Sequence, residues 1–177
     1  RQAVAEQFLD PDVRVSMEAD LDLIAHLDRL KQKLELYIVR NAKKHDPQAI
    51  YRLRSVPGLG PILSLVILYE IGDIKRFPRV QDFVSYDRLV KCTKESGGKR
   101  YGSSGSKIGN AHLKWAFSEA AVLLLRNNTE AMKYRKRLER KHGKAKSLSI
   151  LAHKLGRAVY YMLKRDQAFD LQRFVQT

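Results

Sequence analysis

Apolar positions repeat at helical spacing over most of the chain. Between Asp12 and His45 there is no glycine or proline, and Leu23, Leu27, Leu30, Leu34 and Tyr37 alternate by four and three. This spacing predicts a long helix with a continuous apolar seam on one face. Because the seam is shorter than the roughly three to four heptads of an established coiled coil, helical hairpin packing and a short dimeric coil both remain open.

A second pattern, over residues 50–74, has helical apolar spacing on both sides of Val56-Pro57-Gly58-Leu59-Gly60. Pro61 follows at a position where the first turn of a helix tolerates proline. This arrangement is typical of a helix-hairpin-helix motif, in which glycines permit a tight turn and the next helix presents its amides to a phosphate. We therefore predict that Gly58, Leu59 and Gly60 contact nucleic acid; a plain helix-helix turn is the alternative.

The remaining chain also favours helices, so the predicted fold class is mainly α. Helical patterns cover residues 79–90, 110–126, 129–143 and 147–166, with Asn110 as the expected cap of the second of these and Gly143 as the end of the third. Residues 88–102 contain enough β-branched and turn residues to predict a short β-hairpin. The expected domains are a coiled-coil-like connector helix, residues 1–48, and a helical DNA-binding domain, residues 49–177.

One segment, Lys94–Asn110, differs from the rest because its sequence, KESGGKRYGSSGSKIGN, holds four serines, five glycines, four cations and one aliphatic residue. It has almost no apolar area to bury. The helices on its two sides are too short and one-sided to stand alone, so we expect them to pack together and leave this segment as a surface loop. Its glycines, hydroxyls and cations suit a phosphate. The residues by themselves therefore predict a phosphate-binding loop.

Charge points to the same class of ligand. The net charge is +15, and residues 88–165 contain 20 Lys plus Arg against 4 Asp plus Glu. Such a one-sided field favours a polyanion and predicts affinity that falls as salt rises, although a basic face that only confers solubility is the alternative. The most basic helix contributes the predicted nucleic-acid contacts Lys133, Arg135, Lys136, Arg137 and Lys141.

Other classes of protein are disfavoured. The single cysteine and five scattered histidines have no metal-ligand spacing, so we expect no cofactor in this chain. No apolar run approaches the roughly 18 to 20 residues needed to span a bilayer. We expect a soluble protein without a membrane partner. The sequence starts with Arg1 rather than methionine, which suggests a piece of a longer protein.

Three segments resemble the carboxy-terminal domain of a bacterial insertion-sequence transposase family that includes the Piv-type DNA invertases and the bridge-RNA-guided recombinases. They are SVPGLGPILSLVILYEIGDIKRFPRVQDFVSY, KESGGKRYGSSGSKIGNAHLKWAFSEAA and HGKAKSLSILAHKLGRAVYYMLKR. The resemblance runs from about Ile50 to the end, and the helix before it is similar to the family's coiled-coil connector. It implies a separate amino-terminal RuvC-like domain with four acidic metal ligands, for which Mg²⁺ is implied; we expect that domain to be absent from this sequence.

The resemblance also implies catalytic residues. Ser96 of KESGG matches the family's serine nucleophile, which joins covalently to DNA as a phosphoserine. Lys99 and Arg100 are the expected catalytic cations that stabilise the charged transition state. Ser104, in SSGSK, is the main rival for the nucleophile and otherwise a nucleic-acid contact.

Two further residues of the matching Ser-Lys-x-Gly-Asn segment, Lys107 and Asn110, are expected to position the phosphate. Asp87 departs from the small or neutral residue expected at its position in the family, and its carboxylate would be available to pair with Arg88 or with the loop cations.

The predicted function is thus that of a transposase or DNA recombinase domain working by serine transesterification, inactive as an isolated piece. The implied partners are DNA, a guide (bridge) RNA, the RuvC-like domain and further copies in a dimer or tetramer. The expected location is the bacterial cytoplasm, on the nucleoid. A non-catalytic helix-hairpin-helix module that binds DNA or junctions is the main alternative, and an RNA-binding or ribosome-associated protein is a third.

Overall fold

The computed structural model describes residue 7 and residues 10–90, 92–104, 108–126 and 128–176, without the side chains of residues 42–45, 92–95, 100–101 and 103–104. Its helices are α1 (Pro11–His45), α2 (Pro47–Arg54), α3 (Pro61–Ile71), α4 (Val80–Tyr86), α5 (Ala111–Leu124), α6 (Thr129–His142), α7 (Lys144–Lys164) and α8 (Leu171–Gln176). A 3-10 turn, Ile74–Arg76, and two strands, β1 (Cys92–Ser96) and β2 (Lys99–Ser104), complete the described elements. The prediction of a mainly α fold with a short β-hairpin is confirmed.

The chain divides into two compact units, residues 1–45 and residues 46–177. The first unit contains α1, whose start is capped by the Asp10 carboxylate, which accepts a hydrogen bond from the Asp12 amide at 2.9 Å. The five residues of the predicted seam, from Leu23 to Tyr37, are between 44% and 67% exposed. The seam therefore lies on an open helix face.

The second unit is built around α7, which packs against α2, α4, α5 and α6. Leu151, Leu155 and Val159 on α7 are completely buried. The apolar face of α5 predicted from the sequence is also buried: Leu113, Phe117, Ala120 and Leu124 are completely inaccessible to solvent. Burial of these two faces supplies a large part of the apolar core, which is the main source of stability in a helical domain.

Local signals set most helix ends. The Asn110 side chain caps α5 by accepting a hydrogen bond from the Leu113 amide at 2.9 Å, as predicted. Gly143 ends α6 with a φ of +82°, and α7 begins at the next residue. Helix α4 ends at Tyr86, earlier than its apolar pattern, because Arg88 takes a φ of +56° and turns the chain away.

Candidate nucleic-acid interface

The turn between α2 and α3 is held mainly by packing. Gly58 has a φ of +94°, and a Cβ atom there would lie 2.5 Å from the backbone nitrogen of Leu124. Leu59 is only 4% exposed. Gly60, by contrast, is exposed and caps α3 without any side-chain hydrogen bond. Of the three residues predicted to contact nucleic acid here, only Gly60 lies openly at the surface, next to the uncapped amides of α3.

The predicted catalytic serine lies at the tip of the β1–β2 hairpin. The strands are antiparallel, with Ser96 opposite Lys99. Gly97 and Gly98, with φ values of 57° and 73°, form the two-residue turn between them. A tight turn of this kind requires positive φ at both central positions, which glycine adopts readily. Both Ser96 and Lys99 are exposed. Since directly opposed residues share a face of a β-ribbon, the hairpin brings the hydroxyl and the ammonium group to one side of its tip.

The other predicted residues of the loop are spread along the hairpin. Ser104 pairs with Cys92 at the end of the ladder opposite to Ser96, and four residues of strand separate these ends by roughly 13 Å. Arg100 pairs with Glu95 through the backbone, next to a register shift; its side chain is outside the described part. Lys107 lies outside the described residues. The backbone positions of Ser96 and Ser104 therefore lie at opposite ends of the β-ladder.

Both ends of the hairpin segment are fastened at the end of α4. The Asn110 amide donates a hydrogen bond to the Tyr86 carbonyl at 2.7 Å. Gly109 packs beside it with a φ of +100°, so close that a Cβ atom would lie 2.6 Å from the same oxygen. The chain thus leaves and re-enters the helical core at one point, where Gly109 and Asn110 contact the end of α4.

Asn110, predicted to position a phosphate, is committed to contacts within the fold. Its side-chain nitrogen donates to a Glu70 carboxylate oxygen at 2.6 Å while its oxygen caps α5. Both ends of the side-chain amide are therefore used within the fold. The contact ties the end of α3 to the start of α5 and fixes where the hairpin returns.

A cluster of one arginine and two aromatic rings, Arg76, Phe77 and Tyr86, lies at the end of α4 and was not predicted from the sequence. The Arg76 guanidinium lies 4.7 Å from the ring centroids of both Phe77 and Tyr86 and donates to the Ile71 carbonyl at 3.3 Å. Hydrogen bonds from the side chains of Asn110 and then Arg76 lower the pKa of Tyr86. Only tertiary packing brings these groups together, so no spacing in the sequence marks them.

Asp87 is completely buried directly after α4. Neither carboxyl oxygen hydrogen-bonds to Arg88 or to any other described residue. Burial raises the pKa of Asp87 to about 8, against the opposing effect of the Arg76 charge. The side chain is therefore mostly protonated at neutral pH, which does not favour the ion pair with Arg88 or with the loop cations that was considered from the sequence.

The basic helix α6 presents most of its cations to solvent. Lys133, Lys136, Arg137 and Lys141 are exposed, and Arg135 is half-buried. Some are engaged within the fold: Lys133 pairs with Glu130 at 3.0 Å, and Arg137 donates to the Val175 carbonyl at 3.2 Å. Lys136 and Lys141 have no ion pair among the described residues, which leaves their charges available to a polyanion.

Two further features concern metals and membranes. Within the described ranges, no group of three or more His, Cys, Asp or Glu side chains lies close enough together to hold a metal ion. These residues therefore do not fit the acidic Mg²⁺ site of a RuvC-like domain. None of the described helices has the length and apolar character required to cross a membrane.

Comparison with known proteins shows which family this interface is similar to. Residues 50–136 match the family described as Transposase IS116/IS110/IS902 family. The chain is 30% identical over 118 residues to the insertion element IS110 uncharacterized 43.6 kDa protein of Streptomyces coelicolor, covering 66% of this chain and 29% of that protein. It is 29% identical over 122 residues to the transposase for insertion sequence element IS1111A of Coxiella burnetii, covering 67% of this chain and 34% of that protein.

The chain thus spans about a third of the length of these curated relatives. The matched segment contains the α2–α3 turn, the serine hairpin and most of α6, which are the elements carrying the predicted contacts. Residues 50–136 are thus similar to the transposase domain of the IS116/IS110/IS902 family.

Proposed function

We propose that this chain binds DNA and supplies Ser96 as the nucleophile for strand cleavage and exchange in transposition. The observation that carries the proposal is the position of Ser96. It is exposed at the tip of a hairpin, opposite Lys99, on a transposase domain. A serine held there can enter the groove of a duplex while the helical core stays outside.

The hairpin supports this role because the chain that follows it is attached to the core. The hydrogen bond between Asn110 and Tyr86 and the packing of Gly109 hold the chain that follows the hairpin against the end of α4. We propose that this attachment restricts the position of the tip relative to the helices. Restricting a nucleophile in this way lowers the entropic part of its reaction barrier.

The proposed reaction consists of two transesterifications. The Ser96 Oγ attacks a DNA phosphorus, the Oγ–P bond forms, and the bond from phosphorus to the leaving strand oxygen breaks. The serine loses its proton to water and the leaving oxygen takes one up. A hydroxyl of another strand then attacks the same phosphorus and releases Ser96, so the number of phosphodiester bonds is unchanged. Lys99 stabilises the charge that develops on the phosphoryl oxygens.

The proposed function also includes partners of the full-length protein. The bridge RNA, the RuvC-like domain with its Mg²⁺ and further copies of the chain are what the family resemblance implies for the full-length protein. Because Ser96 and Lys99 stand alone at the tip among the described residues, we propose that the remaining catalytic groups come from such partners.

The test is covalent trapping of end-labelled target DNA by the full-length natural protein with its RNA. Wild type, Ser96→Ala and Ser104→Ala are compared on a denaturing gel. Ser104→Ala is the matched control, because it removes the same hydroxyl from the other end of the same hairpin. We expect the adduct to disappear only in Ser96→Ala, with DNA binding unchanged.

An adduct that persists in Ser96→Ala, or that never forms while recombination proceeds, would contradict the nucleophile assignment. The second candidate function would then be favoured: a non-catalytic helix-hairpin-helix module. Gly60 and the uncapped, exposed start of α3 support it, since helix amides and the helix dipole attract phosphate. In that case the serines only contact the DNA backbone, and substitution at Gly60 lowers affinity more than Ser96→Ala.

A further inference from the structure

A groove remote in sequence from the serine hairpin lies between α7 and α8. It has a volume of about 520 Å³ and is lined by Lys154, Arg157, Tyr161, Arg165, Phe169 and Arg173, among others. Lys154, Arg157 and Tyr161 on α7, followed by Arg165 directly after the helix, recur at intervals of three and four, so they form one stripe. The chain then turns back after residue 165, and α8 forms the opposite wall. Clefts of this volume commonly bind one small molecule or one part of a larger ligand.

The charge of the groove is strongly positive. It contains four cationic side chains and a single carboxylate, Asp170. One oxygen of that carboxylate accepts a hydrogen bond from the Arg173 amide at 3.0 Å, and the four cations still outnumber its charge. The groove therefore favours an anionic ligand.

Aromatic rings lie between these cations. The Arg165 guanidinium lies 4.7 Å from the ring centroid of Tyr161, and the rings of Phe169 and Phe174 are 5.3 Å apart. Tyr161 is half-buried, with part of its surface open to the groove. Alternating cations and aromatic faces are how proteins bind unpaired nucleotides, with phosphates on the cations and bases stacked on the rings.

Lys154 at the inner end of the stripe strengthens this assignment. Its buried ammonium group lies 4.0 Å from the Tyr134 ring centroid and 5.0 Å from that of Phe174. It has no hydrogen-bond acceptor among the described residues. A buried ammonium held only by ring faces keeps its hydrogen-bonding capacity unused, and an anionic oxygen entering the groove would satisfy it.

We propose that the α7–α8 groove binds an unpaired nucleotide of a nucleic-acid strand, with its phosphate against the arginines and its base stacked on Tyr161. The proposal rests on the nucleic-acid-binding role given above and adds a second contact site that recognises single-stranded character. It does not require Ser96 chemistry.

The test measures binding of the 177-residue chain to three labelled probes: a thymidine 12-mer with one central 2-aminopurine, the corresponding RNA, and a 20-bp duplex. Arg157→Gln and Arg165→Gln remove one charge each from the groove. Tyr161→Leu removes the stacking face but keeps apolar bulk. Arg29→Gln, on the exposed surface of α1, is the control for loss of the same charge elsewhere.

For the single strands, we expect each groove arginine variant to lower the slope of log affinity against log salt by about 0.7, as for one lost phosphate contact. Tyr161→Leu should weaken binding roughly fivefold or more, the range for one stacked base, and should restore the fluorescence that stacking quenches in wild type. Duplex binding and the Arg29→Gln slope should stay unchanged. Tighter binding of either the DNA or the RNA strand supports the proposal and identifies its source.

The proposal is overturned if folded groove variants bind the single strands as wild type does, or if they weaken duplex binding equally. If the groove variants bind the single strands as wild type does, and duplex binding is still salt-dependent, the proposed transposase function is not contradicted. Absence of any nucleic-acid binding by wild type would overturn both. Arginine variants at the groove surface keep the test valid if Tyr161→Leu fails to fold.

Discussion

Asp87 shows how one buried residue can link the domain's stability to pH. Its carboxyl is completely buried without a described hydrogen-bond partner, and burial raises its pKa to about 8. In the unfolded chain an aspartate has a pKa near 3.9, so between about pH 4 and pH 8 the folded state binds the extra proton. The contribution of this proton is fully present below about pH 4 and is lost as pH rises to about 8.

We predict that Asp87→Asn removes this dependence. Wild type should lose up to about 1.4 kcal/mol of unfolding free energy per pH unit from this group within that window, whereas the neutral amide should not. Urea denaturation at pH 5, 6, 7 and 8 measures the difference. Asp22→Asn on the exposed surface of α1 is the control. Parallel curves for wild type and Asp87→Asn would show that Asp87 keeps an ordinary pKa.

A second prediction about single residues concerns the two glycines of the α2–α3 turn. Gly58 has a φ of +94°, and a Cβ atom added there would lie 2.5 Å from the backbone of α5, whereas nothing lies within 4 Å of such an atom at Gly60. Gly58→Ala should therefore destabilise the domain by at least about 2 kcal/mol through strain and overlap. Gly60→Ala, at a helix N-cap, should cost less than about 1 kcal/mol.

Chemical denaturation of the two variants checks this difference. Equal losses would indicate that the turn shifts freely against α5, contrary to its tight packing. A stable Gly60→Ala variant would also allow the phosphate contact proposed for that residue to be tested without loss of fold.

At the scale of elements, α1 carries an exposed apolar face. Its seam from Leu23 to Tyr37 is open, with Leu27 and Leu30 at 54% and 44% exposure. Covering such a stripe with a second copy buries apolar area. We predict that Leu27→Glu and Leu30→Glu lower the mass measured by sedimentation equilibrium, while Gln32→Glu on the same helix does not. A mass unaffected by all three would exclude the seam as a self-association surface.

The elements also show which parts of the fold the sequence could predict. Asn110 and Gly143 act within one helical turn, so their capping and terminating effects were visible as local signals. The Arg88 turn that shortens α4 and the packing of Gly109 on Tyr86 depend on contacts between distant segments. Apolar spacing carries no information about such contacts.

The same distinction applies to the candidate site. Ser96 and Lys99 were found through motif resemblance, and their opposition across the hairpin follows from the Gly97-Gly98 turn. The groove between α7 and α8 was missed because half of it is formed by the chain returning after residue 165. The stripe of Lys154, Arg157 and Tyr161 is present in the sequence at intervals of three and four, but the same spacing is typical of the solvent-exposed face of an amphipathic helix.

At the scale of the whole molecule, stability and charge are concentrated in one part of the chain. Every buried hydrophobic residue of the described ranges lies between Ala49 and Phe174. The cationic excess lies between residues 88 and 165. The unit of residues 46–177 therefore contains both the apolar core and the proposed DNA contacts, whereas the unit of residues 1–45 contributes an open helix face.

We accordingly predict that residues 46–177, produced without residues 1–45, unfold cooperatively at the same midpoint temperature as the whole chain at equal, low concentration. The truncated protein should be monomeric and should keep the salt slope of duplex binding, since that slope depends on phosphate contacts made by this unit. Calorimetry, sedimentation and titration at several salt concentrations measure the three quantities. A shallower salt slope would place DNA contacts on α1, and loss of cooperative unfolding would mean that the core depends on the connector helix.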